Sequence, residues 1–259
     1  MPIDFYRPGD ENCLELFDPE GILSRFRWLL ERSADYFSYE VYGLENLPRE
    51  GGGLLVSNHG TVAVDALLLI YRVYQETGRI IRGLGEHLLW RVPLLRIWLL
   101  RSGILDGNMN NAVKLLQGGL ALVYPGGSRE SLKPSYRKYE LLWEERYGFI
   151  KAALLAQVPI LPVAAIGVDD LYFVFNSGMG IVRRFFERKW GVSLPLLLGL
   201  GPFPFPTKVV SSIGHPISLG YPPEAAENPG VLIELHEKIR ATLQGMLAEG
   251  LSSRRIPWG

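Results

Sequence analysis

The fold class follows from one segment, GLLVSNHGTVAVD at residues 53–65. Residues 53–57 form a short apolar run that predicts a buried strand, and residues 64–76 carry the apolar periodicity of a helix. Between them, residues 58–60 predict a loop. Because a strand that leads through a short loop into a helix is the unit of parallel sheets, polar side chains in this loop are expected at the edge where α/β proteins bind their ligands.

The rest of the chain repeats this alternation. Further strands are predicted at 79–84, 120–124, 158–168 and 208–213, and further helices at 22–37, 110–117, 139–156 and 226–249. The pattern predicts a single-domain α/β sandwich with a mostly parallel sheet over residues 38–259. Residues 1–37 are predicted to form an N-terminal segment with an amphipathic helix.

Composition narrows the possible partners and compartments. The chain has 259 residues, of which 47% are hydrophobic and 21% charged, which is sufficient for one sizeable core. Lys+Arg and Asp+Glu both number 27, so no basic excess points to a nucleic-acid partner. Cys13 is the single cysteine, which excludes an internal disulfide and suits a reducing compartment. With no apolar run of about 18–20 residues, the expectation is a cytoplasmic protein that is soluble or peripherally membrane-associated.

A histidine and a carboxylate stand close together in the opening segment. Histidine accepts a proton near neutral pH, and a carboxylate on its other ring nitrogen holds the tautomer and stabilises the imidazolium. His59 and Asp65 are therefore candidate catalytic residues. Since positions i and i+6 do not share a helical face, Asp65 reaches His59 only if residues 60–64 form a turn. The alternative is that Asp65 caps the following helix.

A second unusual segment, YPGGSRE, occupies residues 124–130. Its glycine turn exposes backbone N–H groups that can bind phosphate or an oxyanion, and Arg129 adds a cation suited to phosphate. An ordinary glycine-rich turn is the alternative. Ser128 departs from the Gly-x-Ser-x-Gly pattern of serine hydrolases, so it is a poor nucleophile. The spacing of His and Cys residues indicates no metal site.

Two apolar stretches are candidates for membrane contact. Residues 87–105 combine leucines with Trp90, Arg91 and Trp98, which is typical of a helix in a lipid headgroup layer and also of a buried helix with snorkelling arginines. Residues 201–206 could wall a tunnel, dip into lipid or form a packed loop. On the terminal helix, His236 is expected to be solvated.

These segments, in this order, resemble the glycerolipid acyltransferases related to the bacterial lysophosphatidate acyltransferase. That family reads Asn-His-x-x-x-x-Asp, then Gly-x-hydrophobic, then Phe-Pro-Glu-Gly-Thr-Arg-Ser, then Val-Pro-Ile-x-Pro-Val. The matches are Asn58-His59 with Asp65, Gly103-Ile104-Leu105, Tyr124-Pro125-Gly126-Gly127-Ser128-Arg129 and Val158-Pro159-Ile160-Leu161-Pro162-Val163. The resemblance covers most of residues 38–220.

The departures from the family pattern favour one branch. The gap from His59 to Asp65 is one residue longer than usual, Gly126 replaces the glutamate, and Asp106 stands where an arginine is usual. The longer gap and Gly-Gly-x-Arg-Glu look more like the branch that acylates neutral acceptors such as diacylglycerol or long-chain alcohols. In that branch Glu130 takes a functional place.

The resemblance implies a glycerol-phosphate-acyltransferase-like fold and a membrane-surface O-acyltransferase. His59 would take the proton of the acceptor hydroxyl as it attacks a thioester, and Asp65 would orient His59. The implied substrate-binding residues are Asn58, Gly126, Gly127, Ser128, Arg129 and Glu130. The donor would be acyl-CoA or acyl carrier protein, and no metal or organic cofactor is implied. The alternatives are lysophosphatidate acylation to phosphatidate, a serine esterase or lipase that uses Ser128 with His59, and a non-catalytic lipid-binding protein.

Overall fold

The computed structural model describes residues 19–61, 63–85, 99, 103–175, 196–201 and 203–254. The strands are β1 (Glu40–Tyr42), β2 (Gly53–Ser57), β3 (Ile81–Gly85), β4 (Leu105–Asp106), β5 (Leu120–Val123), β6 (Ile160–Ile166), β7 (Phe173–Phe175), β8 (Leu196–Leu198) and β9 (Val210–Ile213). The helices are α1 (Pro19–Tyr36), α2 (Val64–Thr77), α3 (Met109–Leu116), α4 (Gly127–Ser131), α5 (Gly148–Ala156) and α6 (Pro229–Ser253).

Seven of the strands form one sheet in the order β1-β9-β6-β2-β5-β3-β4, and β7 and β8 form a separate antiparallel pair. Among the described strands of the large sheet, only β6 and β9 pair antiparallel. Strand β2 lies between β5 and β6, so that Leu54 pairs with Ala121 on one side and Ile160 on the other. This arrangement confirms the predicted α/β fold with a mostly parallel sheet.

The central strands are apolar along their whole length because helices cover both faces of the sheet. Every residue of β2 and of β6 is buried. Alternate residues of β2 serve different layers: Leu54 and Val56 pack with α3, α5 and α6, whereas Leu55 packs with α2. The segment around Phe37, at the carboxyl end of α1, packs with the end of β6 in a third cluster. The sheet is therefore held rigidly from both sides.

The largest error of the sequence interpretation is the helix predicted over 139–156. The helix begins only at Gly148, and the segment before it contains Tyr139 and Glu144 with φ angles of 62° and 48°. This left-handed backbone is incompatible with a continuous right-handed helix. Three apolar residues of this segment are nevertheless buried in the core, namely Tyr139, Leu141 and Trp143, the last at 0% exposure. The spacing of these buried residues therefore resembles that of a helix, although the backbone is not helical.

The expectation that His236 is solvated is also wrong. Its side chain is buried, and its ring lies 5.7 Å from the Trp143 ring and 5.3 Å from the Tyr147 ring. Burial lowers the pKa of His236 because an imidazolium would lose its hydration in this aromatic cluster. The residue is part of the packing between α6 and the segment that precedes α5.

The carboxyl ends of the central parallel strands meet at one edge of the sheet. The loop after β2 begins with Asn58 and His59, and the loop after β5 begins with Tyr124. Next to them, the turn after β6 contacts the first loop, since a Cβ atom at Gly60 would lie 2.6 Å from the Cβ atom of Val168. Both unusual motifs of the sequence therefore lie at the edge that the topology predicts for a ligand site.

Candidate active site

Asn58 fixes the start of the loop after β2. Its side-chain amide donates to the carbonyl oxygen of Ala165 at 2.9 Å, and its carbonyl oxygen accepts from the N–H of Ala165 at 2.8 Å. The residue is fully buried. It thus pairs with β6 as a peptide group would, and it lies beneath the site. This structural role differs from the substrate contact that the sequence suggested.

The ring of His59 has a defined tautomer. Its Nδ1 lies 2.8 Å from the carbonyl oxygen of Gly60, and a carbonyl oxygen only accepts hydrogen bonds. In the neutral ring the proton therefore resides on Nδ1, and Nε2 carries the lone pair. A histidine with its lone pair on Nε2 is a competent general base. The loop backbone thus performs part of the orienting role expected of Asp65.

Asp65 is connected to His59 through Tyr124. The hydroxyl of Tyr124 donates to Oδ2 of Asp65 at 3.0 Å, and the rings of Tyr124 and His59 lie 4.3 Å apart at an interplanar angle of 31°. Among the described residues, Asp65 has no hydrogen bond with His59, so the direct contact predicted from the sequence is replaced by this bridge. Tyr124 was matched to a family motif in the sequence, but nothing there pointed to its linking role.

The environment of Asp65 disfavours its charge. The side chain is 3% exposed, and its Oδ1 is buried without a hydrogen-bond partner among the described residues. Burial raises the pKa of Asp65 from 3.8 to about 7, against the opposing effects of Tyr124 and the N–H groups of Asp65 and Ala66 at the start of α2. The N–H groups correspond to the helix-capping alternative considered for this residue. A carboxyl group that titrates near neutral pH beside a histidine is typical of functional sites.

Glu130 links the loop after β2 to the segment before α5 through hydrogen bonds to their backbone. It is fully buried, and its Oε1 accepts from the backbone N–H of His59 at 2.7 Å while Oε2 accepts from the N–H of Leu142 at 2.8 Å. A Cβ atom at Gly126 would lie 2.1 Å from this carboxylate, so glycine is required there. Burial raises the pKa of Glu130, with Lys133 acting in the opposite direction. Glu130 thus positions the loop after β2, which differs from the substrate contact inferred from the sequence.

The two arginines near the glycine turn occupy different environments. Arg129 is 64% exposed and forms an ion pair with Glu144 at 2.6 Å. Arg146, which the sequence interpretation missed, lines the cavity described next and donates from a guanidinium nitrogen to the carbonyl oxygen of Pro125 at 3.0 Å. Because residues 139–147 were predicted as helix, no sequence signal placed Arg146 beside this turn.

A cavity of about 730 Å³ opens beside His59. Its walls come mainly from apolar residues of α2, β3, α3 and the start of α5, including Leu67, Ile70, Leu84, Met109 and Phe149. The polar lining residues are His59, Asn108, Tyr124, Ser128, Ser131 and Arg146. Of the predicted glycine-turn residues, Gly127 and Ser128 line the cavity. This volume and this apolar lining with few polar groups are typical of small-molecule sites.

Other predicted features have a simpler outcome. Trp90, Arg91 and Trp98 lie outside the described residues. Across the described ranges, no group of His, Cys, Asp or Glu side chains could hold a metal ion. Within the same ranges, no helix has the length and hydropathy needed to span a bilayer.

Comparisons with known proteins indicate the family of the chain. A family model described as Acyltransferase matches residues 38–166. An uncharacterized protein of Mycobacterium tuberculosis is 32% identical over 95% of this chain and 72% of its own length. A Bos taurus protein named "DGAT1/2-independent enzyme synthesizing storage lipids" is 29% identical over 87% of this chain and 63% of its own length.

The fold also matches a solved structure. The crystal structure of the 1-acyl-sn-glycerophosphate (LPA) acyltransferase PlsC from Thermotoga maritima aligns with a TM-score of 0.55 and 18% identity, covering 91% of this chain and 81% of that one. The resemblance inferred from the motifs is thereby confirmed. From its matching family model, together with the 32% identity to a relative of which it covers 72%, the chain belongs to the acyltransferase family and is an acyltransferase.

Proposed function

We propose that the protein transfers a fatty acyl group from a thioester donor to the hydroxyl of a neutral lipid, such as diacylglycerol or a long-chain alcohol. The observation that carries this proposal is the position of His59 in the wall of a largely apolar cavity of about 730 Å³. An acyl chain is accommodated by such walls because burying apolar surface is favourable at roughly 25 cal/mol per Å². The reacting thioester then lies where the polar lining residues converge.

The chemistry follows from the tautomer of His59. Nε2 accepts the proton of the acceptor hydroxyl while the hydroxyl oxygen attacks the thioester carbonyl carbon. The tetrahedral intermediate then collapses, an ester forms, and the thiolate leaves with the proton returned by His59. General base catalysis of this kind contributes about 10²–10⁴ in rate. The donor is acyl-CoA or an acyl carrier protein, and His59 needs no metal for this step.

Two observations support a neutral acceptor over lysophosphatidate. Arg129, the cation expected to bind an acceptor phosphate, is exposed and paired with Glu144. The mammalian relatives are named as enzymes that synthesise storage lipids. Acylation of lysophosphatidate to phosphatidate is the alternative within this class.

A serine esterase or lipase is a second candidate because Ser128 lines the same cavity as His59. In a hydrolase, Ser128 would attack the ester, so Ser128→Ala would abolish turnover. In a transferase that uses the acceptor hydroxyl directly, this variant keeps much of its activity. The same comparison therefore separates the two reactions.

We place the protein at a membrane surface, where its lipid acceptor resides. On the small β7–β8 sheet, Phe173 pairs with Leu198, and both side chains are exposed together with Phe175. Lys138 lies 5.2 Å from the centroid of the Phe173 ring. Lys138 is already paired with Asp170 at 2.7 Å, so the exposed apolar side chains carry the proposed contact with the headgroup layer.

Two further apolar side chains, on α1 and in the segment after β8, are strongly exposed. Trp28 on α1 is 69% exposed and Phe203 is 68% exposed. The carboxyl end of α1 contacts the segment that contains Phe203 through Tyr36, whose hydroxyl donates to the carbonyl oxygen of Pro204 at 2.7 Å. The surface formed by α1, β7–β8 and residues 203–205 is thus the proposed membrane contact.

The test is incubation of the purified protein with labelled palmitoyl-CoA or palmitoyl-acyl carrier protein and a panel of lysophosphatidate, diacylglycerol and hexadecanol, with products identified by mass spectrometry. A neutral ester that disappears in His59→Ala but persists in the matched control His215→Ala, which changes an exposed histidine, supports the proposal. Phosphatidate as the main product would show that the acceptor is lysophosphatidate and not a neutral lipid. Free fatty acid alone, lost in Ser128→Ala, would identify a hydrolase.

A further inference from the structure

Arg146 is the one permanently charged side chain among the described residues that line the cavity. The other lining residues are apolar, glycine or neutral polar, apart from the titratable His59. Arginine remains protonated in proteins, so this position carries a full positive charge in a largely apolar environment. Placing a charge in such surroundings is costly unless a partner compensates for it.

Arg146 is partly exposed, and the described residues give its side chain a single hydrogen-bond partner. One guanidinium nitrogen donates to the carbonyl oxygen of Pro125 at 3.0 Å, and no described acidic residue forms an ion pair with it. A guanidinium has five N–H donors, of which this hydrogen bond uses one. Its geometry matches anionic oxygens, which it binds through two parallel hydrogen bonds.

The position of Arg146 is also fixed relative to the general base. Pro125, its hydrogen-bond partner, directly follows Tyr124, whose ring lies 4.3 Å from that of His59. The cation is therefore anchored to the loop after β5, whose Tyr124 ring contacts the ring of His59. Arg129, by contrast, is absent from the lining and is already paired with Glu144.

We propose that Arg146 is a donor-binding residue that binds a negatively charged oxygen of the acyl thioester donor. The oxygen has two possible sources: the thioester carbonyl oxygen as it becomes an oxyanion, or a phosphate of the coenzyme A portion. Both present the same chemistry to a guanidinium. This inference rests on the proposed acyl transfer, and it assigns the recognition of negative charge to Arg146 in place of Arg129.

The test uses two donors with the same acyl chain, palmitoyl-CoA and palmitoyl-pantetheine, of which the second lacks the phosphates. Steady-state kinetics are compared for the parent protein, Arg146→Gln and Arg146→Lys. The matched control is Arg137→Gln, which removes an exposed arginine paired with Glu140. Melting temperatures verify that each variant is folded. The Arg146→Lys variant keeps a positive charge and a hydrogen-bond donor to Pro125 but loses the paired N–H groups of the guanidinium.

Each source has its own kinetic signature. If Arg146 binds the oxyanion, Arg146→Gln lowers kcat with both donors, by about 10²–10³-fold. If it binds a phosphate, the KM for palmitoyl-CoA rises by about 10–100-fold and the constants for palmitoyl-pantetheine do not change. A folded Arg146→Gln variant with parental constants for both donors overturns the proposal.

A readout that needs no turnover separates this inference from the proposed function. Saturating palmitoyl-CoA should raise the melting temperature of the parent protein and of Arg137→Gln, because a ligand that binds only the folded state stabilises it. If Arg146 binds a phosphate, Arg146→Gln should show a smaller rise. If it binds the oxyanion, the rise should be unchanged and only kcat should fall. A parent protein that binds palmitoyl-CoA but forms no product would refute the proposed function. Without a reaction no oxyanion forms, so only the phosphate remains as a ligand of Arg146, and an equal rise in Arg146→Gln would then overturn the proposal for Arg146 as well.

Discussion

Replacement of Asp65 by asparagine should stabilise the fold in a pH-dependent way. In the unfolded chain the carboxyl group ionises near pH 3.8, whereas burial raises its pKa to about 7 in the folded protein. Between these values the folded state binds more protons than the unfolded state, so the free energy of unfolding contributed by Asp65 falls as the pH rises through 7. Asparagine stays neutral at every pH and can still accept the hydrogen bond from Tyr124.

The size of the effect follows from the pKa difference. One pKa unit corresponds to about 1.4 kcal/mol, so ionising Asp65 in the folded protein costs about 4 kcal/mol by pH 8. Part of this cost is already present at pH 5. The stability difference between Asp65→Asn and the parent should therefore widen by about 2–3 kcal/mol from pH 5 to pH 8. Other titrating groups affect both proteins equally and cancel in this difference.

Urea unfolding followed by circular dichroism at pH 5, 6, 7 and 8 measures the effect. Asp35→Asn is the control, since it makes the same change at an aspartate that is 75% exposed. If the curves of Asp65→Asn and the parent run parallel across this range, Asp65 ionises normally in the folded state and the reasoning fails. Acyl transfer should fall in the same variant, because the carboxylate that supports the histidine is lost while the fold is stabilised.

Three further changes test the other contacts. Tyr124→Phe removes the hydrogen bond that lowers the pKa of Asp65, so the acidic limb of the pH–rate profile should move to higher pH and stability should fall by about 1–3 kcal/mol. Glu130→Gln leaves one of two backbone N–H groups without an acceptor, which should cost about 1–3 kcal/mol in urea unfolding and lower kcat by displacing the catalytic loop. Trp28→Glu combined with Phe203→Glu should reduce flotation with anionic vesicles by tenfold or more, following roughly 1.5–3 kcal/mol per apolar side chain removed from lipid.

Each of these changes has a result that would contradict it. An unchanged pH–rate profile in Tyr124→Phe would mean that Asp65 does not act through the tyrosine. Retained kcat in Glu130→Gln would mean that the loop needs no anchor. For flotation, Ile233→Glu on α6 is the matched control, because it also charges an exposed apolar residue. Equal loss in this control would mean that the effect is not specific to the proposed membrane surface.

The central strands could be predicted from the sequence because burial on both faces leaves an uninterrupted apolar run, as in β2 and β6. The segment 139–147 could not be predicted in the same way. Tyr139, Leu141 and Trp143 are buried although the segment is a loop. The residue types at its two left-handed positions, Tyr139 and Glu144, do not indicate that conformation. Periodicity reports which residues are buried, and it does not report the backbone that buries them.

For the site, residue type and position after a strand identified His59 and Asp65, but not the contacts between them. Tyr124 joins them only after β2 and β5 have paired, and this pairing is a tertiary event. Glu130 was predicted to contact substrate. Its observed partners, two backbone N–H groups 71 and 12 residues away in the chain, could not be inferred from residue type. Arg146 was missed because the helix wrongly predicted from residue 139 did not place it beside the glycine turn.

The contact between Gly126 and Glu130 constrains how this sequence can evolve. The space that a side chain at position 126 would occupy is filled by the Glu130 carboxylate. A chain that gains glutamate at 126 before losing it at 130 overfills this space, and one that loses Glu130 first leaves two buried N–H groups without an acceptor. Neither single substitution is neutral, so the change requires both positions together.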